Sequence, residues 1–260
     1  SQGFESYYTG LFQERWPDLR QALLRAEPHY TEIKYKECRP YYLDTASVKA
    51  ALMLDIAEGD DILDLCSAPG GKSLVLAGRM EGGGILVANE YSPSRRQRLK
   101  KVLSESLPES KFGLITITGR NARKSCRWRE TADGKFDKIL LDVPCSSEQH
   151  VLKSPAYLQK WSPSRITRLK KQQYAFLLTA MFALRPGGTL LYCTCALSPN
   201  ENEAVMQKFL KKNEDFFEIE TNPGTGEQRK HGWQILPDKT KGMGPIYFCK
   251  LGRKNQELKR

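Results

Sequence analysis

The sequence predicts an α/β domain with a doubly wound, mostly parallel sheet of about seven strands. Five short apolar runs recur at a regular interval, namely DILDLC, GILVANE, GLITITG, KILLDVP and GTLLYCTC. Helical patterns separate most of these runs, and apolar strands that alternate with helices are typical of a parallel sheet covered on both faces. Two later runs, GWQILPD and GPIYFCKLG, predict a terminal antiparallel hairpin.

The chain begins with an aromatic and charged segment, residues 1–43, which we interpret as a flank or lid. It contains an amphipathic pattern around Trp16 to Arg25 that predicts a helix. Residues 44–260 form the predicted α/β domain. At its start, Asp44 or Thr45 in YYLDTAS is suited to cap a helix, because a short polar side chain can accept a hydrogen bond from the first free N–H groups.

The longest predicted helix runs from about Ser164 to Leu184 and ends at the Pro-Gly-Gly that follows. Its apolar stripe consists of Ile166, Leu169, Leu177, Ala180 and Leu184. A stripe on one face predicts that this helix packs against the sheet.

The composition favours a soluble protein with a polyanionic partner. Lysine and arginine number 41 against 30 acidic residues, which gives a formal net charge of +11. Such an excess draws nucleic acid electrostatically, and charge alone does not exclude a membrane surface. The sequence has no apolar run of transmembrane length, no signal-peptide pattern and no lipidation motif. We therefore expect a monomer that binds nucleic acid and no membrane.

The cysteines indicate a reducing compartment. There are seven, an odd number in a chain too large to need covalent staples, so a disulfide framework is not expected. Four of them are expected to be small buried hydrophobes, namely Cys38, Cys66, Cys126 and Cys249.

The first motif with chemical content is DLCSAPGGKS, Asp64 to Ser73, where a strand is followed by a helix. Small residues and two glycines let the backbone approach a ligand, and the helix N-terminus offers free N–H groups, as in adenosine-type cofactor sites. The alternative is that the glycines serve only the turn. No G-x-G-x-x-G or P-loop signature is present. The next strand ends in Glu90, which is either a ribose-binding acid or a solvated loop residue.

Two further motifs place thiols at strand ends. LLDVPCSS carries Asp142 and Cys145, and LLYCTCALSPNENE carries Cys193 and Cys195. If the two strands are parallel neighbours, their ends lie ~4.8 Å apart, so that Cys145 and Cys195 can face one ligand. Alternation turns Cys193 the same way as Cys195, unless the chain leaves strand geometry at Thr194. Zinc ligation is the competing interpretation, but C-x-x-C pairs are missing and only three histidines exist, so no metal is expected.

These motifs resemble the Sun (Fmu/NSun) family of RNA cytosine-5 methyltransferases. The matching stretches are YYLDTAS, DLCSAPGGKS, ANEYSPSR, FDKILLDVPCSS, LRPGGTLLYCTCALSPNENE and GPIYFCKL, from about Tyr41 to Leu251. The resemblance is greatest to the short mitochondrial-type members without a separate RNA-binding domain. It implies a class I (Rossmann-like) methyltransferase fold for residues 44–260, S-adenosylmethionine as cofactor, and formation of 5-methylcytosine in rRNA or tRNA. It also implies the cytoplasm or the mitochondrial matrix, and a protein partner could supply RNA affinity.

The family pattern also implies roles for individual residues. The cysteine of its T-C motif is the nucleophile and corresponds to Cys195, whereas the cysteine of its P-C motif assists product release and corresponds to Cys145. DNA cytosine methyltransferases use the P-C cysteine for attack instead. The cofactor contacts implied are Cys66, Ser67, Ala68, Pro69, Gly70, Gly71, Lys72, Glu90, Arg95, Asn121, Ala122 and Asp142.

One position departs from the family pattern. Where the family usually has an aspartate before glycine or alanine, near the adenine, this chain has Asn121-Ala122. The asparagine oxygen can still accept from the adenine amine, but the assistance of the negative charge is lost. We therefore expect weaker cofactor contact there.

The expected chemistry explains these residue types. Cytosine C5 is a poor nucleophile, so a thiolate adds to C6 and makes the ring an enamine-like carbanion that can accept a methyl group. By resemblance, Asp142 hydrogen-bonds the N3/N4 edge of the base, and its protonated form would stabilise the developing charge. The C5 proton must leave before Cys195 is expelled, and Cys145 is expected to aid that step.

A recessed site requires a cytidine that is unpaired or flipped out. Basic runs that could hold the flanking RNA, or only form solvated faces, are Arg95, Arg96, Arg98, Lys100, Lys101, Arg120, Arg123, Lys124, Arg127, Arg129, Arg165, Arg168, Lys170 and Lys171. Trp128, between two arginines, adds a candidate stacking surface.

Two alternative functions remain open. One is a methyltransferase of the same fold that acts on another base or on protein, which PCSS in place of an N-P-P-Y type loop disfavours. The other is a catalytically retired methyltransferase fold that acts as an RNA-binding or ribosome-assembly factor. Asn121 favours that reading, and the retention of both cysteines opposes it.

Overall fold

The structure, a computed structural model, describes residues 2–25, 27, 29–124, 128 and 134–255. Within these residues the strands are β1 (Tyr30–Ile33), β2 (Tyr41–Asp44), β3 (Ile62–Asp64), β4 (Leu86–Asn89), β5 (Ile115–Thr118), β6 (Phe136–Asp142), β7 (Leu184–Thr194), β8 (Phe216–Glu218), β9 (Glu227–Gln228), β10 (Trp233–Ile235) and β11 (Ile246–Arg253). The helices are α1 (Gln2–Phe12), α2 (Trp16–Arg25), α3 (Thr45–Leu52), α4 (Gly71–Arg79), α5 (Pro93–Ser106), α6 (Glu109–Phe112), α7 (Glu148–Leu152), α8 (Pro155–Lys160), α9 (Pro163–Ala183) and α10 (Glu203–Lys212), with a 3₁₀ turn at Gln13–Arg15.

Across the described residues, the central sheet has nine strands. Their order is β5-β4-β3-β6-β7-β11-β10-β9, and β8 also pairs with β11. Strands β3 to β7 pair in parallel, whereas β11 is antiparallel to both β7 and β10. This arrangement confirms the predicted doubly wound sheet and its terminal hairpin. The seven predicted strands are all present, and the short β8 and β9 are additions that the sequence did not indicate.

Helices cover both faces of the sheet, which explains the continuous apolar runs. In β6, Ile139 and Leu141 pack on the side of α9 and α10, whereas Leu140 packs with residues of α4 and α5 on the other side. All three are fully buried. A strand covered on both faces cannot alternate apolar and polar residues.

Two predicted helices are confirmed nearly to the residue. Helix α2 spans Trp16–Arg25, and α9 ends at Ala183, so Leu184 begins β7 instead of closing the helical stripe. Asp44 caps α3, because its side chain accepts a hydrogen bond from the Ser47 N–H at 3.1 Å. None of the described helices combines the length and apolarity needed to cross a bilayer.

The N-terminal segment is packed onto the domain in two pieces. Helices α1 and α2 form an aromatic cluster in which Phe4 and Tyr8 contact Trp161, with ring centroids 5.1 and 5.8 Å apart. Strands β1 and β2 then form a separate two-stranded antiparallel sheet, which we call the ribbon and which the sequence did not predict. The expected boundary between residues 43 and 44 falls inside β2.

The ribbon presses on the turn before α4. A Cβ atom at Gly71 would come within 2.8 Å of a Leu43 methyl group and 2.9 Å of the Tyr41 ring. Only glycine therefore fits where the ribbon and α4 meet. This contact joins β2 to the motif at the end of β3.

Candidate active site

The DLCSAPGGKS motif forms the turn from β3 into α4. Gly70 precedes the helix with φ +120°, a conformation that side-chain-bearing residues rarely adopt, and a Cβ there would meet Leu99 and Val102 at 3.2 Å. Asp64 is buried at the strand end and accepts a hydrogen bond from the Ser73 hydroxyl at 2.6 Å. Burial raises the pKa of Asp64 to about 7, and Ser73 lowers it only in part. The turn is thus fixed at both ends.

A pocket lies along the carboxyl ends of β3, β4 and β5. Five predicted cofactor residues line it, namely Cys66, Glu90, Arg95, Asn121 and Ala122. Its remaining lining includes the apolar side chains of Leu65 and Phe176. An acid directly after β4, beside apolar walls, suits a nucleoside, with the ribose at the acid and the adenine between the walls. The residues present therefore fit the adenosine part of the expected cofactor, and we call this cavity the adenosine pocket.

Glu90 is held in a fixed orientation. One carboxylate oxygen accepts from the Ser92 N–H at 2.8 Å, and the other pairs with Arg95 at 3.0 Å. Arg95 also donates to the Ala68 carbonyl at 2.7 Å, so it links the end of β4 to the turn after β3. This link makes Arg95 a support for the pocket as well as part of its wall.

Asn121 lies at the pocket with its side-chain oxygen already accepting from the Arg123 N–H at 3.0 Å. Asn89, which was not predicted as a site residue, supports the same region. Its amide donates to the carbonyls of Leu65 and Arg120, both at 3.1 Å, and its oxygen accepts from the Thr118 hydroxyl at 2.8 Å. A buried amide that ties three strand ends together has no recognisable sequence signal beyond its place after an apolar run.

Lys72 and Asp142 form an ion pair with 2.7 Å between nitrogen and oxygen. Asp142 ends β6, and β6 lies between β3 and β7 in the sheet. The ion pair therefore lies between the turn from β3 into α4 and the two thiols. Burial opposes charge on Lys72, but the Asp142 carboxylate outweighs it and raises the pKa of the lysine. Neither residue is among those that line the pocket along β3 to β5.

The two predicted thiols meet. Cys145 Sγ and Cys195 Sγ are 2.9 Å apart, and the Ser147 hydroxyl lies 3.3 Å from Cys195 Sγ and 3.6 Å from Cys145 Sγ. The hydrogen bond from Cys145 lowers the pKa of Cys195 against the effect of burial, and Ser147 lowers it further. The same hydrogen bond, with burial, raises the pKa of Cys145. Cys195 is therefore the more acidic thiol of the pair, with Cys145 as the hydrogen-bond donor to it.

Cys193 is not part of this pair. Strand β7 ends at Thr194, and Cys193 is buried within the core, where burial raises its pKa. Cys195 lies beyond the strand, so the strict alternation that would turn both cysteines the same way does not apply. In the described part of the chain, no three His, Cys, Asp or Glu side chains are grouped to hold a metal ion.

Two buried glutamates, also missed from the sequence, hold the turn that carries Cys145. Ser146 donates through its N–H to Glu201 at 3.0 Å and through its hydroxyl to Glu148. Glu148 also accepts from the hydroxyl of Tyr8 and, at 3.0 Å, from the Leu197 N–H. These bonds join the turn after β6 to the turn after β7, and α1 to both. Buried acids are recognisable only once the fold brings their donors together.

A second pocket opens beside Cys195. Its walls come from the ribbon, from α7 and its flanks, and from the loop before β11, and they comprise Tyr30, Asp44, Ser47, Ser147, Gln149, His150, Lys153, Cys195, Gly242, Gly244 and Pro245. The nucleophile candidate thus faces a cavity that is distinct from the adenosine pocket. A substrate can approach there while a cofactor occupies the other side.

The expectation of a stacking surface at Trp128 is wrong. Its ring is buried in the core, and the Arg120 guanidinium lies 5.5 Å from the ring centroid. Arg127, Arg129 and Cys126 lie outside the described residues. Among the cysteines expected to be structural, Cys249 is buried, whereas Cys38 and Cys66 are partly exposed.

The family model described as 16S rRNA methyltransferase RsmB/F matches residues 51–252. The chain belongs to this family. The RsmB/F match confirms the resemblance that the motifs indicated, and S-adenosylmethionine is the cofactor of RsmB/F methyltransferases.

Similar proteins extend this result. The chain is 33% identical over 231 residues to the 5-cytosine rRNA methyltransferase NSUN4 of Xenopus tropicalis, covering 82% of this chain and 56% of the relative. It is 31% identical over 231 residues to the mitochondrial tRNA (cytosine(34)-C(5))-methyltransferase of Mus musculus, covering 85% and 65%. The crystal structure of NSun6 from Pyrococcus horikoshii with SFG superposes with a TM-score of 0.70 and 26% identity over 85% of this chain and 55% of that one. The chain thus spans a little over half the length of the first of these relatives.

Proposed function

We propose that this chain is the catalytic part of an S-adenosylmethionine-dependent RNA methyltransferase that forms 5-methylcytosine, with Cys195 as nucleophile. The observation that carries the proposal is the unequal thiol pair, 2.9 Å apart at the ends of two neighbouring parallel strands. A cysteine whose pKa is lowered by a second thiol and a hydroxyl is suited to attack an electrophilic carbon. The curated relatives are named as cytosine-5 methyltransferases of rRNA and tRNA, which supports the same reaction class.

In the proposed reaction, the Cys195 thiolate adds to C6 of cytosine, and the electron pair of the C5–C6 double bond moves to C5. S-adenosylmethionine, when bound, supplies an electrophilic methyl group for that carbon. Asp142, held by Lys72, accepts a hydrogen bond from the cytosine amine, and the lysine ammonium stabilises negative charge on the ring.

Product release then needs the C5 proton to pass to a base, which in this proposal is a solvent water that enters the open pocket beside Cys195. The electron pair of the C5–H bond re-forms the C5–C6 double bond, while the bond between C6 and the Cys195 sulfur breaks. The departing sulfur becomes a thiolate again, and Cys145 and Ser147 stabilise it by donating hydrogen bonds. Cys145 therefore acts in the second half of the reaction.

The cofactor residues divide into two groups in this proposal. Cys66, Glu90, Arg95, Asn121 and Ala122 hold the adenosine, and the turn from Ser67 to Gly71 approaches the remainder with its backbone. The substrate is rRNA or tRNA, and the compartment is the mitochondrial matrix or the cytoplasm. We treat residues 44–260 as the methyltransferase domain and residues 1–43 as a segment that supports it.

The alternative of a retired enzyme is weaker. Its one supporting feature is Asn121, which still lines the pocket. The unequal thiols and the ion pair between Lys72 and Asp142 serve chemistry and have no value for RNA binding alone. Calorimetry with S-adenosylmethionine discriminates, because a retired member need not bind the cofactor.

The two thiols are tested by cysteine-to-alanine variants incubated with RNA and S-adenosylmethionine. Cys145→Ala should methylate and then remain attached to RNA as a band that survives a denaturing gel, because the thioether forms but its elimination is impaired. Cys195→Ala and the double variant should give neither product nor band. Cys193→Ala is the matched control, since that thiol is buried away from the pair, and it should turn over.

The reverse pattern, with a band from Cys195→Ala and none from Cys145→Ala, would make Cys145 the nucleophile. A wild-type chain that binds S-adenosylmethionine but methylates no structured RNA would count against the reaction. Bisulfite sequencing of total RNA with and without the gene then identifies the cytidine.

A further inference from the structure

Three exposed tyrosines lie in or next to the mouth of the pocket beside Cys195, where Tyr30 is part of the lining. Tyr30 is 59% exposed, Tyr42 is 56% and Tyr157 is 51%. The remaining tyrosine exposed to a similar degree among the described residues, Tyr91, lies at the adenosine pocket. Aromatic rings gain stability from burial, so rings left in solvent around one cavity indicate a ligand.

The ribbon places two of these rings on one face. Tyr30 lies opposite Asp44, and Glu32 lies opposite Tyr42, so strand alternation turns these four side chains to the same side. Tyr30 and Asp44 line the pocket with Cys195, and Tyr42 continues that face outward. Tyr41 and Leu43 turn to the other side, where they pack against Gly71. The exposed face is thus carried by an anchored element.

The opposite wall of the mouth supplies a third ring and a charge. The Tyr157 ring on α8 lies 5.1 Å from the His150 ring at an interplanar angle of 47°. His150 and Lys153 line the pocket, and no salt bridge engages Lys153 in the described part of the chain. A lysine at the rim, in a chain of net charge +11, complements a phosphate.

We infer that this mouth binds the unpaired nucleotides next to the target cytidine, with bases stacked on Tyr30 and Tyr157 and a phosphate at Lys153. The inference rests on the proposed function. A cytosine that enters the pocket leaves its neighbours without a stacking partner on one side, and aromatic side chains replace that partner without regard to base identity. Tyr42 extends the same surface along the strand. The ligand is single-stranded RNA, and its contacts are separate from those of the reacting base.

The test uses a short single-stranded RNA with one central cytidine and 2-aminopurine beside it, since stacking quenches 2-aminopurine fluorescence. The wild-type chain should quench the probe on titration. Tyr30→Ala and Tyr157→Ala should each weaken binding by about tenfold and relieve the quenching, whereas Tyr30→Phe should retain both. Phe217→Ala is the matched control, because that ring is 46% exposed on β8, outside the pocket lining.

Methyl transfer to the same RNA separates the two proposals. A wild-type chain that methylates the probe without quenching it, or alanine variants that bind as tightly as wild type, would overturn the stacking surface and leave the reaction standing. Quenching that depends on Tyr30, without methylation of any RNA, would support the stacking surface and overturn the proposed reaction. In the supported case, Tyr30→Ala raises KM for RNA about tenfold with little change in kcat.

Discussion

Glu148 and Glu201 meet at Ser146 without a cation, as no salt bridge within the described residues includes either one. Both are fully buried. Ionising both of these neighbouring buried carboxyl groups would place two negative charges close together away from water, at a high cost in free energy. One carboxyl group therefore keeps its proton. Burial first, and then the charge of Glu148, raise the pKa of Glu201 to about 7. Substituting Glu201→Gln removes the titrating group while leaving its shape.

The expected magnitude follows from linkage. In the unfolded chain a glutamate loses its proton near its ordinary pKa of 4.5, whereas in the folded chain Glu201 retains it until about 7. Between these values the folded state binds more protons, so the free energy of unfolding falls as pH rises. The whole fall is on the order of 3 kcal/mol, at 1.36 kcal/mol for each pKa unit. The Glu201→Gln variant should lack it.

Urea unfolding at a series of pH values between about 4.5 and about 7 measures this slope for both chains. Glu214→Gln, on the exposed surface after α10, is the control and should behave as wild type. If the Glu201→Gln variant lost as much stability across this range as wild type, the buried carboxyl group would not hold the proton assigned to it. A lower but parallel curve would mean that the substitution only removes hydrogen bonds.

Three further predictions concern the two binding sites and the thiol pair. Ser147→Ala should raise the pKa of Cys195 and slow its alkylation by iodoacetamide at neutral pH; equal rates for alanine and wild type would remove Ser147 from the site. Asn121→Asp should tighten S-adenosylmethionine binding by roughly 1 kcal/mol in calorimetry, and unchanged or weaker binding would mean that this side chain does not reach the adenine. RNA affinity should fall steeply with salt, with a log–log slope of ~0.7 to 0.9 per neutralised phosphate, and less steeply in an Arg127→Ala/Arg129→Ala variant; a flat salt response contradicts the basic-surface model.

The sequence predicted the sheet well because its strands are covered on both faces. Runs such as KILLDVP are then continuously apolar, and the carboxyl ends of parallel strands must share one edge, which brings Cys145 to Cys195. The ribbon was missed because its strands are partly exposed and carry only a weak apolar pattern. Trp128 was misjudged because flanking arginines describe the chain locally, whereas its burial depends on distant contacts.

The glutamate pair and the different environments of Cys193 and Cys195 could not be predicted from the sequence, because they too depend on contacts between residues far apart in the chain. The end of β7 at Thr194 is set by bonds from Asn202, whose oxygen accepts from the Thr194 hydroxyl at 2.6 Å and whose amide donates to the Ala196 carbonyl at 2.9 Å. No local propensity marks that end. The depressed pKa of Cys195 depends in turn on a neighbour fifty positions earlier in the chain.

The contact at Gly71 makes the ribbon a wall shared by two binding sites. Its inner residues, Tyr41 and Leu43, close on the cofactor turn without room for a single methyl group, while its outer face borders the cavity of Cys195. Because the same two strands border both sites, we expect a substitution that displaces them to affect the binding of both ligands. Thermodynamic reciprocity then requires that whatever factor RNA contributes to cofactor affinity, the cofactor returns to RNA affinity. A bulkier residue at position 71 would disturb both equilibria together.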